Sequence, residues 1–166
     1  MTTIISEGYA PGCIGRVAQL HAAFYSASNG FGVEFEAKVA NEMSQFCLAY
    51  ASARDGIWLA RCPEVEGSVI LDGSRAEEDG AHLRWFITSD KLRGQRVGRQ
   101  LLEQALAFSD ARGYRRVYLW TFEGLEAARH LYESCGFKLV KERLGKQWGT
   151  TVNEQRFERV MPSALA

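Results

Sequence analysis

The stretch Leu92-Arg93-Gly94-Gln95-Arg96-Val97-Gly98 holds the residue types best suited to chemistry in this chain. It lies between an apolar run at 81–88 and a helical stripe made by Leu101, Leu102, Ala105, Leu106 and Phe108. Glycine lets backbone approach a ligand closely. The start of a helix exposes unpaired N–H groups and the positive end of the macrodipole. Together these suit a phosphate or a pyrophosphate. Arg93, Arg96 and Arg99 add local positive charge to a chain whose 20 Lys+Arg balance 20 Asp+Glu. The stretch has no Gly-Lys-Ser/Thr ending and no Gly-x-Gly-x-x-Gly, so it is neither a P-loop nor a dinucleotide fingerprint. An ordinary strand-to-helix turn with glycines for geometry is the plain alternative.

The elements that must position this loop are legible in the periodicities. Residues 2–9 predict a short strand. Ile14, Val17, Ala18, His21, Phe24 and Tyr25 recur at helical spacing. His21 lies on that apolar stripe and reads as a core or boundary residue. The run at 26–30 breaks the helix. A second helix carries Phe35, Val39, Met43, Phe46, Cys47 and Tyr50 on one face. Strands follow at 57–62, ended by Pro63, and at 68–71. The polar, acidic segment 72–80 reads as their solvated connection to the strand at 81–88. That strand is apolar apart from His82 and Arg84 and predicts a central position buried on both faces. Gly113 closes the helix after the loop. A strand at 114–121 alternates Val117 and Leu119 with Tyr118 and Trp120. Leu125, Ala128, Leu131, Tyr132 and Cys135 make a further helical stripe, ended by Gly136. A strand starting at 137–140 and one at 152–161 predict an antiparallel pair across a turn near Gly149. The order is strand, two helices, three strands, helix, strand, helix, two strands, an α/β pattern with a strand-helix-strand-helix-strand unit at 81–140.

A length of 166 residues fits one domain, 1–166. Hydrophobic residues at 46% and charged ones at 24% suit a packed globular core and exclude a disordered chain. The zero formal charge weighs against a dedicated nucleic-acid binder and a polybasic membrane-surface protein. No apolar run approaches the ~20 residues that span a bilayer. The start, Met1-Thr2-Thr3-Ile4-Ile5-Ser6, lacks a basic flank and a long apolar stretch, so it does not read as a signal peptide. These features predict a cytoplasmic protein. The four cysteines and three histidines show neither a Cys-x-x-Cys pair nor metal-site spacing. Free thiols and no metal are expected.

Two motifs carry a resemblance to a known family. Leu92-Arg93-Gly94-Gln95-Arg96-Val97-Gly98-Arg99-Gln100-Leu101-Leu102 resembles the acyl-CoA loop of the GNAT acetyltransferases, whose pattern is Gln/Arg-x-x-Gly-x-Gly/Ala. Arg93 matches its first position and Gly98 its last, and Arg96 stands where the middle glycine is usual. Ala128-Arg129-His130-Leu131-Tyr132-Glu133-Ser134-Cys135-Gly136-Phe137 is similar to the family's Ala-x-x-Leu-Tyr-x-x-x-Gly-Phe segment. Leu125 stands where an asparagine is common. The order of elements matches the family over nearly the whole chain. The segment 114–121 and the tail Gln147-Trp148-Gly149 with Glu154-Gln155-Arg156-Phe157 also resemble a bacterial branch often fused behind a MarR-type DNA-binding domain. A chain starting at Met1 leaves no room for that domain, and the branch says little about the acceptor.

The resemblance implies a GNAT fold, with a mixed central sheet of about six to seven strands flanked by about four helices. It implies acetyl-CoA as co-substrate and direct transfer of the acetyl group to an amine. Backbone groups of Phe86 and Thr88, with Ile87 between them, would hold the pantetheine, and N–H groups from Arg93 through Arg99 (Gly94, Gln95, Arg96, Val97 and Gly98 included) the pyrophosphate. Leu125 and Ala128 would line the same site. Tyr132 matches the position that returns a proton to the departing thiolate, which a phenol with a pKa near ~10 can do; an aromatic packed under the pantetheine is the alternative. The family often carries a glutamate on the strand before the loop, and this strand offers none. Glu34 and Glu36 are candidate bases or amine binders, or else solvated first-turn carboxylates. Arg84 can clamp a substrate carboxylate bidentately or serve as a structural ion-pair partner. Tyr25, Phe31 and Trp120 are candidate walls of the acceptor pocket. A small, amino-acid-like amine is the expected acceptor. A protein or peptide acetyltransferase and a non-catalytic acyl-CoA sensor are the alternatives. Family members often pair, so a homodimer is compatible with the resemblance.

Overall fold

The computed structural model describes residues 2–162. Its elements run β1 (Ile4–Glu7), α1 (Cys13–Asn29), α2 (Val33–Leu48), β2 (Gly56–Arg61), β3 (Val65–Asp72), β4 (Ala81–Thr88), α3 (Val97–Ala111), β5 (Arg116–Phe122), α4 (Glu126–Ser134), β6 (Lys138–Gly145) and β7 (Val152–Val160). This is the predicted order, with one extra helical turn, Asp90–Leu92, ahead of α3. The seven strands form one mixed sheet in the order β1-β2-β3-β4-β5-β7-β6. All neighbours are antiparallel except β4 and β5.

β2 and β3 are buried almost throughout, because α3 covers one face of the sheet and α1 with α2 the other. Trp58, Val69 and Leu71 meet Leu101, Leu102 and Ala105 on the α3 side. Ile57, Leu59 and Ile70 meet Val17, Met43 and Phe46 on the other. Each fully buried aliphatic side chain contributes roughly 1.5–3 kcal/mol. α1 continues through the serine-rich stretch expected to break it and stops at Gly30, whose φ of 69° supplies the left-handed C-terminal turn. Gly136, at φ 95°, follows α4 in the same conformation.

β4 is central, but it is not buried on both faces as its composition predicts. His82, Arg84, Trp85, Phe86 and Thr88 are all only partly buried. Two departures from a regular sheet explain this. First, β4 pairs with β5 only at Ala81–Val117 and His82–Tyr118, after which the strands part. Second, β4 bulges against β3. The register jumps between Ser68–Ile87 and Ile70–Arg84, and Trp85 takes a left-handed φ of 48°. The hydroxyl of Ser68, which is fully buried, donates to the Trp85 carbonyl at 2.6 Å. A bulge shifts the side-chain alternation by one residue. Arg84 and Trp85 therefore both sit on the α1–α2 side, while Phe86 packs toward α3. Among the described residues, no helix is long and apolar enough to cross a membrane.

Candidate active site

The parting of β4 and β5 opens two cavities that meet inside the molecule. One, of about 180 Å³, lies over the α1–α2 face of the gap. Its polar lining comes from His21 on α1, Lys38 and Glu42 on α2, His82 and Arg84 on β4, and Gln147 on the β6–β7 turn. The other, of about 580 Å³, runs along Phe86, Ile87 and Thr88 to Gly98, Leu125 and Ala128. Tyr25, Phe86 and Tyr132 line both cavities and so mark their junction.

The larger cavity reaches the start of α3 at Gly98. Helix α3 starts from Arg96, whose φ of 57° is the left-handed conformation in which glycine is unstrained. Among the described residues, the N–H groups of Arg96, Val97, Gly98 and Arg99 donate to no protein acceptor, the first helical bond coming from Gln100 to the Arg96 carbonyl. A Cβ at Gly98 would lie 3.3 Å from the Phe86 ring, so the helix approaches β4 too closely for a larger residue to fit freely. Val97 is buried and anchors the helix start in the core. Arg93 is exposed and paired with Asp90 at 2.7 Å; Arg99 donates to the Ser134 hydroxyl on α4 at 2.9 Å; Gln95 accepts from Thr3 at 2.7 Å. The entry to the loop hangs on β3. Buried Glu66 receives Lys91 at 3.2 Å and Arg16 at 2.9 Å, and its carbonyl accepts the Ser89 N–H at 2.7 Å. Burial works against the Glu66 charge, but the hydrogen bonds from Ser89 and Lys91 and the charge of Arg16 outweigh it, and its pKa falls below the usual carboxylate value.

Tyr132 is 7% exposed, its ring packed against Phe86, Phe137 and Phe157. No hydrogen bond from its hydroxyl to a described residue is present, and both cavities touch the side chain. Burial raises its pKa well above that of a free phenol, so it holds its proton. Tyr25 is pushed up to about 12 for the same reason.

The carboxylates expected from the sequence do not reach the smaller cavity. Glu34 and Glu36 are exposed in the first turn of α2 and line no part of the smaller cavity. Glu34 instead packs against Gly149, where a Cβ would come within 2.6 Å of its carboxylate. The acidic group in the cavity is Glu42. It joins Lys38 at 3.2 Å and Arg84 at 3.3 Å, with Asp72 a further 3.9 Å from Arg84. Arg84 is thus both an ion-pair partner and a cavity residue, its guanidinium lying 4.1 Å over the Trp85 ring. Phe31 is buried in an aromatic cluster with Phe35 and Phe122, behind the cavity wall. Tyr25 and Trp120 do line the cavity, and Arg143 stacks on Trp120 at 4.4 Å.

Sequence reasoning missed His21, His82, Lys38, Glu42, Gln147 and Trp148 as lining groups. His82 and Arg84 alternate on one strand face, and Lys38 and Glu42 share a helix face beside the Val39–Met43–Phe46 stripe, which is the signal that could have found them. Gln147 and Trp148 reach the cavity because buried Glu154 pins their turn, accepting from the Gln147 backbone N–H at 3.0 Å, from its side chain at 2.9 Å and from Arg143 at 2.9 Å. Burial lowers the pKa of His82 to about 3, helped by the Arg84 charge, and that of His21 to about 4, partly offset by a hydrogen bond to the Val17 carbonyl. Both are neutral at physiological pH. Among the described residues no disulfide joins the four cysteines, and no cluster of His, Cys, Asp and Glu is placed to hold a metal.

Comparison with known proteins bears on this arrangement. A family model described as Acetyltransferase (GNAT) family matches residues 42–137. The search of curated proteins finds no match. An acetyltransferase from Streptococcus agalactiae shares the fold at TM-score 0.76 and 23% identity, over 96% of this chain and 98% of its own. The yncA protein of Salmonella typhimurium, solved with its cofactor acetyl-CoA, superposes at TM-score 0.75 and 13% identity, over 100% of this chain and 98% of its own. An IAA acetyltransferase from Bacillus cereus aligns at TM-score 0.66 and 14% identity, over 96% and 100%. At such identities the likeness is one of fold.

Proposed function

The chain belongs to the acetyltransferase (GNAT) family, and from that premise we propose that it transfers the acetyl group of acetyl-CoA directly to the amine of a small acceptor bearing a carboxylate. The observation that carries this reading is the meeting of the two cavities at Tyr132, with a cationic group, Arg84, in the smaller one.

The residues fit acetyl-CoA. The unpaired N–H groups of Arg96, Val97, Gly98 and Arg99 suit its pyrophosphate. Past His82, the β4 edge that would pair with β5 is open, so backbone groups around Phe86 and Thr88 can hydrogen-bond the pantetheine as an added strand would. Leu125 and Ala128 supply the apolar wall opposite. When bound, acetyl-CoA supplies an activated thioester carbon. Tyr132, protonated at neutral pH and free of a protein partner, delivers its hydroxyl proton to the leaving sulfur.

In the smaller cavity, Arg84 receives the acceptor carboxylate through its paired N–H donors. Glu42 keeps Lys38 when it gives up Arg84. The cavity, at about 180 Å³, suits a compact metabolite better than a peptide segment. The same reading takes residues 1–166 as one cytoplasmic enzyme domain.

The test is thiol release from acetyl-CoA across paired amines with and without a carboxylate, in wild type and Arg84→Gln. Turnover favouring the carboxylate member, with that preference lost in the variant, supports the proposal. An equal rate on both members removes the carboxylate, and turnover on peptides alone replaces the small acceptor with a protein. Binding of acetyl-CoA without turnover makes the domain a sensor.

A further inference from the structure

In the reading above, the acceptor nitrogen must shed a proton as the amide forms, and no side chain has yet been given that task. We propose that Nε2 of His21 accepts this proton. The proposal rests on the acetyltransferase reading and adds to it a catalytic residue on α1.

The tautomer of His21 follows from its surroundings. Nδ1 lies 2.9 Å from the Val17 carbonyl, one helical turn back. A carbonyl only accepts, so Nδ1 carries the hydrogen and Nε2 carries the lone pair. Nε2 occupies the ring edge turned away from that carbonyl. Among the described residues, no group hydrogen-bonds it. The ring lines the smaller cavity, and its ring neighbours are Tyr25 at 6.3 Å and Phe35 at 6.5 Å.

The other ionisable groups around that cavity are Tyr25 on the same helix, Lys38 and Glu42 on α2, His82 and Arg84 on β4, and Tyr132 on α4. None serves as well. Glu42 stays paired with Lys38 even when Arg84 turns to the acceptor. His82 stacks on Tyr118 at 4.4 Å and feels the Arg84 charge, which opposes a second positive charge beside it. Both tyrosines keep their protons. Burial keeps His21 neutral, so its lone pair is available across the neutral range. A weak base of this kind takes a proton only once bond formation has acidified the nitrogen.

The step balances. The lone pair of a neutral amine forms the N–C bond, and the C–S bond breaks with its electron pair going to sulfur. The sulfur takes the Tyr132 proton, and Nε2 takes the amine proton. Solvent exchange then returns a proton from His21 to the Tyr132 oxygen, leaving amide and thiol as the net products.

Two measurements test this. Long-range ¹H–¹⁵N spectra of histidine-labelled protein with β-alanine as probe report the ring nitrogens without any turnover. The expected result is a protonated Nδ1, and a bare Nε2 whose shift moves as β-alanine is added to the acetyl-CoA complex. A protonated or unmoved Nε2 overturns the assignment. In the second, His21→Ala lowers kcat by about 10²–10⁴-fold with acetyl-CoA affinity kept within twofold. Added imidazoles restore rate in proportion to their basicity and not their size. A kcat within threefold of wild type overturns the proposal, as does rescue that follows size alone. Absence of wild-type turnover with a responsive Nε2 strikes the acetyltransferase reading while keeping His21 as an amine-binding group.

Discussion

Replacing Ser68 with alanine isolates the device that shapes the site. The Ser68 hydroxyl donates to the Trp85 carbonyl at 2.6 Å, and Ser68 is fully buried. Alanine leaves that partly buried carbonyl without its partner, a loss of about 1–3 kcal/mol. Trp85 already holds a left-handed φ of 48°, which costs a non-glycine residue roughly 1–2 kcal/mol. The variant therefore removes a restraint from a strained residue. At about 2–4 °C per kcal/mol for a chain of this size, Tm should fall by roughly 2–12 °C. Binding should suffer as well, because the bulge is what puts Arg84 on one face of β4 and Phe86 on the other. A scan of tryptophan fluorescence against temperature, with and without acetyl-CoA, measures both effects. Ser44→Ala is the control. Its hydroxyl also donates at 2.6 Å, to the Ala40 carbonyl, but that carbonyl belongs to the interior of α2 and has a helical partner. Equal shifts in the two variants would show that the bulge needs no pin, and the reasoning would be wrong.

Other expectations follow from the same geometry. Tyr132→Phe should lower kcat by about 10²–10⁴-fold while leaving acetyl-CoA binding by calorimetry unchanged; an undiminished kcat removes the phenol as acid. Arg96→Gly relieves a left-handed φ of 57°, roughly 1–2 kcal/mol, against about 0.5–1 kcal/mol of added chain entropy. Urea unfolding should therefore show a small gain or no change, where Arg96→Val should lose stability. The pKa of His21 drops from 6.5 to about 4 on folding. The stability this represents is present in full above pH 6.5 and is lost as pH falls toward 4, because the unfolded chain binds the proton and the native one does not. Between pH 7.5 and 5.5 His21 should account for roughly 1 kcal/mol of lost stability, and urea midpoints in His21→Gln should depend less on pH over that range. Glu66 is shifted the opposite way from burial alone, its folded pKa lying below 4.5. Its contribution should persist to pH 4.5 and disappear below it, and Glu66→Gln should lose the difference between acid and neutral denaturation curves.

The order of elements was legible because each element has a local cause. Apolar spacing marked α1, α2, α3 and α4, and glycines marked the ends of α1 and α4. The smaller cavity was not legible, since it depends on register. Nothing in the alternation of residues 81–88 announces that Trp85 bulges, because the pin is a serine in another strand. For the same reason a run that looks doubly buried lines a gap. Glu34 and Glu36 looked suitable because first-turn carboxylates are a sequence feature. Glu42 lines the cavity because of how α2 packs on the sheet, which periodicity does not encode. His21 illustrates the ambiguity most directly. It does lie on the apolar stripe and is 5% exposed, yet the surface it is buried against is a cavity wall.

The short β4–β5 ladder has a mechanical consequence. Only Ala81–Val117 and His82–Tyr118 join the strands on one side of the gap to β5, β7 and β6 on the other. Elsewhere along the gap the two portions of the sheet are bridged by side-chain packing, without a continuous backbone ladder. A molecule bound along the β4 edge, touching α4 on the far side, therefore acts as a missing strand between two sheets. Its arrival should stiffen the whole protein across the gap, slowing amide exchange in β5 as much as in the loop ahead of α3. Its departure as free thiol would return the two portions to independent motion, opening a route by which the acetylated product can leave.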